Sequence, residues 1–160
     1  MFTIKETSAD SLLALRWRVL RPGRPESTTH FPGDDLPTTR HFAALDQKGE
    51  VIGCASVLEA DSRLQLRGMA TAPEWQGKGV GRAVLEAVHQ YASHRALPLW
   101  CNARVSAVGF YEKNGWQVEG DRFEVPDVGP HYKMHYVTGR LPGPESPRLM
   151  PPTTKRPEAA

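Results

Sequence analysis

Residues 64–82, which read LQLRGMATAPEWQGKGVGR, decide the fold prediction because they join a strand-like run to a glycine-rich loop and a helix. The run from Leu64 to Ala70 is typical of a strand. After Pro73 the pattern changes, and apolar residues recur every four positions at Val80, Val84, Val88 and Ala92. The loop from Gln76 to Gly81 therefore stands at the start of the most clearly predicted helix.

This glycine loop is suited to hold a diphosphate. A helix N-terminus offers about four unpaired N–H groups and roughly half a positive charge, and glycines let an anion approach the backbone closely. Neither a P-loop, GxxxxGK[ST], nor a dinucleotide fingerprint fits, since Arg82 stands where the latter needs its third glycine. The remaining pattern, [RQ]-x-x-G-x-[GA], is matched by Gln76, Gly79 and Gly81.

Before the loop, the pattern predicts a meander. Phe2–Ile4 alternates like a short strand, and Leu12 to Leu20 carries a helical stripe. Residues 21–40 are rich in Pro, Gly, Ser, Thr and Asp, which predicts a long loop. His41–Leu45 and Val51–Leu58 are strand-like and are joined by a polar, Gly-containing connection, which predicts a hairpin.

After the helix, Leu97–Cys101 is typical of a buried strand, and a short helix that Gly115 would terminate follows it. Trp116–Val118 and Tyr132–Val137 complete the predicted strands, so the fold class is α/β with a mixed sheet. The last 22 residues hold six prolines and few apolar residues. We expect a domain of residues 1–138 followed by a tail of residues 139–160.

Composition excludes several function classes. With 160 residues, 39% hydrophobic, the chain fits one globular domain, and a net charge of +2 gives little field for nucleic acid. No apolar run approaches the roughly 18 residues of a membrane span, and no signal peptide opens the chain, so we expect a cytoplasmic protein without membrane partners. Cys54 and Cys101 form no CxxC pair and the histidines show no ligand spacing, so no metal site is expected.

At its glycine loop the chain resembles the GCN5-related N-acetyltransferases (the GNAT family), in which the corresponding segment binds the diphosphate of acetyl-CoA. Residues 103–116, ARVSAVGFYEKNGW, resemble the second motif of that family, N-x-x-A-x-x-[FL]-Y-x-x-x-G-[FW]. Arg104 occupies the place of the frequent Asn, so a side-chain hydrogen bond from that place is not carried over. Asn102 is the residue that could compensate.

The resemblance implies the GNAT fold: a central sheet of six or seven strands with flanking helices and a splayed parallel strand pair, the splay lying at a bulge near Gly68. Main-chain groups of Met69 and Thr71 would then bind the pantetheine arm. Lys78 and Arg82 would either contact phosphates or be solvated. The implied cofactor-binding set is Met69, Ala70, Thr71, Gln76, Gly77, Lys78, Gly79, Val80, Gly81, Arg82, Asn102, Ala107, Phe110 and Tyr111.

The implied chemistry is attack of an amine on the acetyl thioester, which needs an acid for the departing thiolate and a base for the amine. A phenol is matched to a thiol in acidity, so Tyr111 is the candidate general acid; alternatively it is a core aromatic. The candidate base is His131, whose imidazole exchanges protons near neutrality, or Glu59 near a strand end. Both could instead be surface groups.

We therefore expect an acetyl-CoA-dependent N-acetyltransferase, a monomer or homodimer, acting on a primary amine of a small molecule or peptide by direct attack. One alternative is an acyl-CoA sensor without activity on the same fold, and another is a domain whose loop holds ATP. Four arginines (16, 18, 21 and 24) with Asp34 and Asp35 either recognise an acidic or zwitterionic acceptor or keep the long loop hydrated.

Overall fold

The computed structural model describes residues 1–137, which form two compact units divided between Arg95 and Ala96. The predicted tail, residues 139–160, and the predicted domain boundary at residue 138 lie outside the described residues. Each unit contains both strands and helices.

The first unit is built on four consecutive antiparallel strands. In chain order its elements are β1 (Thr3–Thr7), α1 (Leu13–Leu20), β2 (Arg40–Leu45), β3 (Val51–Ala60), β4 (Arg63–Thr71) and α2 (Val80–Arg95). Short 3-10 turns precede α1 at Ala9–Leu12 and α2 at Pro73–Trp75. The predicted β2–β3 hairpin is confirmed, and the side chain of Asp46 caps its turn by accepting from the amides of Lys48 and Glu50, both at 2.9 Å.

The helix α2 buries the apolar stripe that predicted it. Val80, Val84 and Val88 are at most 1% exposed. A side chain at Gly53 of β3 would come within 2.6 Å of Val80 Cγ1, so this glycine lets the first turn of α2 pack directly on the strand. That close packing fixes where the helix, and the glycine loop before it, begin.

The predicted bulge in β4 is confirmed. Ser56 pairs with Arg67 and Cys54 with Ala70, so Gly68 and Met69 together face the single residue between Cys54 and Ser56. Gly68 has φ +63°, a conformation that favours glycine, and a Cβ there would lie 2.9 Å from the Phe31 ring. The bulge therefore depends on glycine for two independent reasons.

The long loop after α1 is tied down by a buried arginine. Arg16 is fully buried and donates to both carboxylate oxygens of Asp34, at 2.7 and 3.2 Å, and to the Thr29 carbonyl at 2.8 Å. The Arg16 Nη2 atom also donates to Ser56 Oγ of β3 at 2.8 Å. The expectation that these charges keep the loop hydrated is wrong for Arg16 and Asp34, because they form an internal ion pair.

The second unit is a three-stranded antiparallel arrangement with β7 in the centre. Its elements are β5 (Leu99–Arg104), α3 (Val108–Lys113), β6 (Trp116–Val125) and β7 (Gly129–Tyr136), and β7 pairs with both β5 and β6. The predicted strand at 97–101 starts two residues later and runs on to Arg104. The strand β6 is much longer than the predicted Trp116–Val118. Residues 119–125 are largely charged and exposed, yet Glu119 and Phe123–Val125 pair with β7 on either side of an irregularity.

The buried ion pair makes the first testable prediction. Asp34→Ala should lower the free energy of unfolding by about 3–5 kcal/mol, because it leaves the Arg16 guanidinium buried without its carboxylate. Chemical denaturation followed by circular dichroism measures this loss. The control is Glu74→Gln, which breaks the exposed Arg18–Glu74 pair and should leave the denaturation midpoint nearly unchanged. Equal midpoints for the two variants would contradict the structural role of Asp34.

Candidate active site

The glycine loop presents free amides at the start of α2. Gly77 and Gly79 have φ +77° and +84°, and a Cβ on either would meet no atom within 4 Å, so backbone conformation rather than crowding requires glycine. Within residues 1–137, the N–H groups of Gly77, Lys78 and Gly79 donate no hydrogen bond. The loop from Gln76 to Gly79 is exposed. Unpaired donors at a helix N-terminus are of the kind that bind an anion, as predicted for this loop.

The side chains around the loop bind it to the end of β4. Gln76 Nε2 lies 3.5 Å from the Thr71 carbonyl oxygen, the last residue of β4. Lys78 Nζ lies 5.8 Å from the centroid of the Trp75 ring, within range of a cation–π contact. Arg82, one position after Gly81, is exposed on the first turn of α2. Residues 69–82 thus form one continuous segment that consists of the end of β4, the glycine loop and the first turn of α2.

The remaining predicted cofactor residues lie in the second unit. Asn102 is exposed on β5, where it pairs with Lys133. Ala107 closes the 3-10 turn before α3, and Phe110 lies within α3, where its carbonyl accepts from the Asn114 side chain at 2.8 Å. Their part in holding a cofactor stays a prediction.

Tyr111 is buried within the aromatic cluster of the second unit. It is 5% exposed, and its ring centroid lies 5.1 Å from that of Trp116 and 5.3 Å from that of Phe110. Burial, together with the neighbouring Cys101 thiol, raises the pKa of the Tyr111 phenol well above its usual value. The hydroxyl therefore stays protonated throughout the neutral range, which suits a hydrogen-bond donor and opposes complete transfer of its proton.

His131, on β7, has a defined tautomer. Its Nδ1 lies 2.8 Å from the Gly129 carbonyl oxygen, and because a carbonyl can only accept, Nδ1 carries the proton. The neutral ring then has its lone pair on Nε2. The ring is 6% exposed and packs against Phe123, with 5.9 Å between centroids. When the imidazole is neutral, Nε2 is thus the nitrogen that can accept a proton.

Glu59, the other candidate base, is engaged by an arginine. Arg95 Nη1 and Nη2 donate to its two carboxylate oxygens at 2.7 and 3.1 Å. The hydrogen bond from Arg95 lowers the pKa of Glu59, which makes it a weaker base. Glu59 pairs with Leu64 while Thr71 pairs with Gly53, so it stands at the end of β3 opposite to the glycine loop.

A groove beside α1 was missed at the level of sequence. It has a volume of about 650 Å³ and is lined by Ala14, Trp17, Arg18, Pro22, Gly23 and Arg24. Trp17 is 40% exposed, and its Nε1 donates to the Arg24 carbonyl at 2.7 Å, which closes the chain around the groove. In the sequence, Trp17 fits the apolar stripe of a helix and so predicts a buried side chain. Only the turn at Pro22-Gly23 could have indicated a groove.

Residues 1–137 contain neither a cluster of metal ligands nor a helix that could span a membrane. No three His, Cys, Asp or Glu side chains among residues 1–137 come together in a way that could hold a metal ion. Over the same residues, no helix has the length and apolar character needed to cross a membrane.

Comparison with known proteins defines the class. The family profile described as "Acetyltransferase (GNAT) domain" matches residues 37–118. The uncharacterized N-acetyltransferase YitI of Bacillus subtilis is 29% identical over 143 residues, covering 84% of this chain and 95% of YitI. The crystal structure of Escherichia coli ElaA matches with a TM-score of 0.74 at 17% identity, over 86% of this chain and all of ElaA. An acyl-CoA N-acyltransferase from Pseudomonas aeruginosa matches with a TM-score of 0.70 at 16% identity and the same coverage.

The glycine loop and these matches define an acyltransferase of the acyl-CoA-dependent class. The chain belongs to the GNAT acetyltransferase family, whose matched region includes β4, the loop and α3. The predicted α/β fold class is confirmed by the solved structures, which share its architecture. Membership implies an acyl-CoA as co-substrate.

The loop geometry predicts a selective loss of CoA affinity. Gly79→Ala should raise the Kd for CoA at least about tenfold, because a Cβ at φ +84° strains the backbone and turns the amides away. The matched control is Gly49→Ala in the β2–β3 turn, where φ is +82° and space is equally open. Both variants should lose about 1–2 kcal/mol of stability. Isothermal titration calorimetry that finds the same CoA affinity in both would refute the assigned site.

Proposed function

We propose that this chain transfers an acetyl group from acetyl-CoA to a primary amine of a small molecule or peptide by direct attack. The observation that carries the proposal is the set of three unpaired amides, on Gly77, Lys78 and Gly79, at the N-terminus of α2. In this proposal they hold the diphosphate of the cofactor, with Lys78 and Arg82 adding positive charge. The pantetheine arm runs along the main chain of Met69 to Thr71.

Direct attack is supported by the state of the two thiols. Cys54 and Cys101 are both buried, and burial raises the pKa of each thiol to about 12. A thiol with that pKa is almost wholly protonated at neutral pH and is a poor nucleophile. In the proposed reaction the acceptor amine therefore attacks the thioester without an acyl-enzyme on either cysteine.

The proposed acid is Tyr111. Its hydroxyl donates a hydrogen bond to the sulfur as the tetrahedral intermediate collapses and the carbon–sulfur bond breaks. Because the pKa of Tyr111 is raised, the stabilisation comes mainly from that hydrogen bond. The attacking nitrogen gives its excess proton to water as the amide forms, and the thiolate takes up a proton from water as CoA leaves. The Asn102, Ala107 and Phe110 positions are proposed to line the cofactor as in the family.

The proposed base is His131 in preference to Glu59. The free Nε2 lone pair of His131 can accept the proton that the ammonium form of the acceptor must lose, directly or through one water. Glu59 is the less suitable group because Arg95 occupies both of its oxygens. A cytoplasmic location and a monomeric or homodimeric state stay predictions.

The proposal is tested first on the cofactor and then on turnover. Acetyl-CoA at saturating concentration should raise the Tm, since a ligand that binds only the folded state stabilises it, while ATP should not. Release of the CoA thiol is then followed against a panel of amines, polyamines, amino acids and peptides. A Tm shift without thiol release from any acceptor would favour an acyl-CoA sensor, and a shift with ATP alone would overturn the cofactor assignment.

Tyr111→Phe should lower kcat by about ten- to a thousandfold with little change in CoA affinity, because it removes the hydroxyl and keeps the ring packing. The measurement is steady-state thiol release together with calorimetry of CoA binding. An unchanged kcat would assign Tyr111 to the core alone.

His131→Gln should lower kcat/KM at neutral pH and regain part of the loss at alkaline pH. Without a base, attack depends on acceptor that is already deprotonated in solution, and that fraction rises with pH up to the amine pKa. The pH profile of kcat/KM measures this, with His94→Gln on the exposed end of α2 as the control. A variant profile parallel to that of the unmodified protein would exclude His131 as the base.

A further inference from the structure

Arg67 carries a partly buried charge without an ion pair of its own. Among residues 1–137 its guanidinium forms no salt bridge; Nη2 donates to the Pro32 carbonyl, and the buried Nε has no hydrogen-bond partner. The guanidinium carbon lies 5.7 Å from the centroid of the Phe31 ring. Burial, and then the nearby Arg16, lower the pKa of Arg67, whereas Asp34 raises it.

The nearest carboxylate is already committed. Both oxygens of Asp34 accept from Arg16, and one of them also accepts from the Phe31 amide at 2.9 Å. Arg16 and Arg67 therefore share one acid, and Arg21, 5.3 Å from the Phe31 centroid, adds further positive potential. A desolvated cation without its own counter-ion is costly, and such groups are found preferentially at functional sites.

Arg67 also has a defined place relative to the proposed cofactor track. It immediately precedes the Gly68 bulge, while Thr71, at the other end of this stretch, leads towards the glycine loop. Four strand residues span about 13 Å, so a pantetheine arm that follows Thr71 back to Met69 brings its thioester towards the bulge. The body of an acceptor whose amine reaches that thioester would extend past the bulge, on the Arg67 side.

We propose that Arg67 binds a carboxylate of the acceptor, so that the substrate is an amine that also bears a carboxylate group. This inference rests on the proposed N-acetyltransferase function. The Pro32 carbonyl fixes one edge of the guanidinium, and Nη1 makes no hydrogen bond within residues 1–137, so that edge has donors for a carboxylate. Bound there, the carboxylate would supply the missing counter-ion.

The other arginines of this region are less suited to the same task. Arg16 is fully buried, and its two terminal nitrogens donate to Asp34, Thr29 and Ser56. Arg18 has both terminal nitrogens on the Glu74 carboxylate, at 2.5 and 3.1 Å. Arg67 is consequently the arginine on which selectivity for a carboxylate should depend.

The test compares paired acceptors that differ only at the carboxylate. A panel of amino acids and their carboxamides, both as free amines, is assayed by thiol release with the unmodified protein, Arg67→Gln, Arg67→Lys and Arg63→Gln. Side chains alternate between the two faces of a strand, so Arg63 and Arg67 lie on the same face of β4. Arg63 is therefore the matched control. Tm and CoA affinity are measured for every variant, so that a folding defect is seen separately.

The unmodified protein should prefer the carboxylate over the carboxamide by at least about tenfold in kcat/KM, mainly through KM. Arg67→Gln should abolish that preference, Arg67→Lys should keep part of it, and Arg63→Gln should leave it intact. No preference in the unmodified protein, or a preference that survives Arg67→Gln, overturns this inference while leaving the proposed function standing. CoA binding without thiol release from either series, or from the amines, polyamines and peptides of the wider panel, overturns the proposed function, and this inference with it.

Discussion

The first unit depends on one buried cation. Arg16 joins α1, on which it lies, to two parts of the chain that are distant in sequence. In the long loop it donates to the Thr29 carbonyl and the Asp34 carboxylate, and on β3 it donates to Ser56. Its Nε also lies 3.3 Å from where a Cβ on Gly68 would stand. A charge in such a place is stable only when its hydrogen bonds are nearly complete, so loop, strand and bulge have to adopt their conformations together.

The proposed cofactor site is made mainly of backbone groups rather than of side chains. The Gly68 bulge shifts the register of β4 against β3, Gly53 lets α2 start against β3, and the two left-handed glycines of the loop lie where the amides are free. None of these steps needs a charged side chain, since the helix N-terminus supplies the positive field. A fold can therefore keep such a backbone arrangement while the surrounding surface changes its charge.

Local patterns predicted the parts that depend on local physics. Three features could be predicted because each depends on only a few neighbouring residues. They are the four-residue period of α2, the glycine spacing of the loop and the single Gly68 within a strand. The partner of Arg16 could not be read from sequence, because Asp34 and Ser56 are 18 and 40 residues away and any exposed acid would look the same. For the same reason the sequence did not distinguish Arg67 from other strand residues. The charged second half of β6 was not predicted as a strand, because its stability comes from pairing with β7.

The two titratable groups of the proposed reaction are prepared in opposite senses by their surroundings. Burial raises the pKa of the Tyr111 phenol, so its hydroxyl stays protonated at neutral pH and can donate. The Gly129 carbonyl fixes the proton of His131 on Nδ1, so Nε2 can accept. A leaving thiolate requires a donor and an ammonium acceptor requires a base, and each group is set in the form its step needs. Because burial raises the pKa of the Tyr111 phenol, this donor stays protonated at neutral pH, and in the proposed reaction the acceptor amine is the group whose deprotonation limits attack.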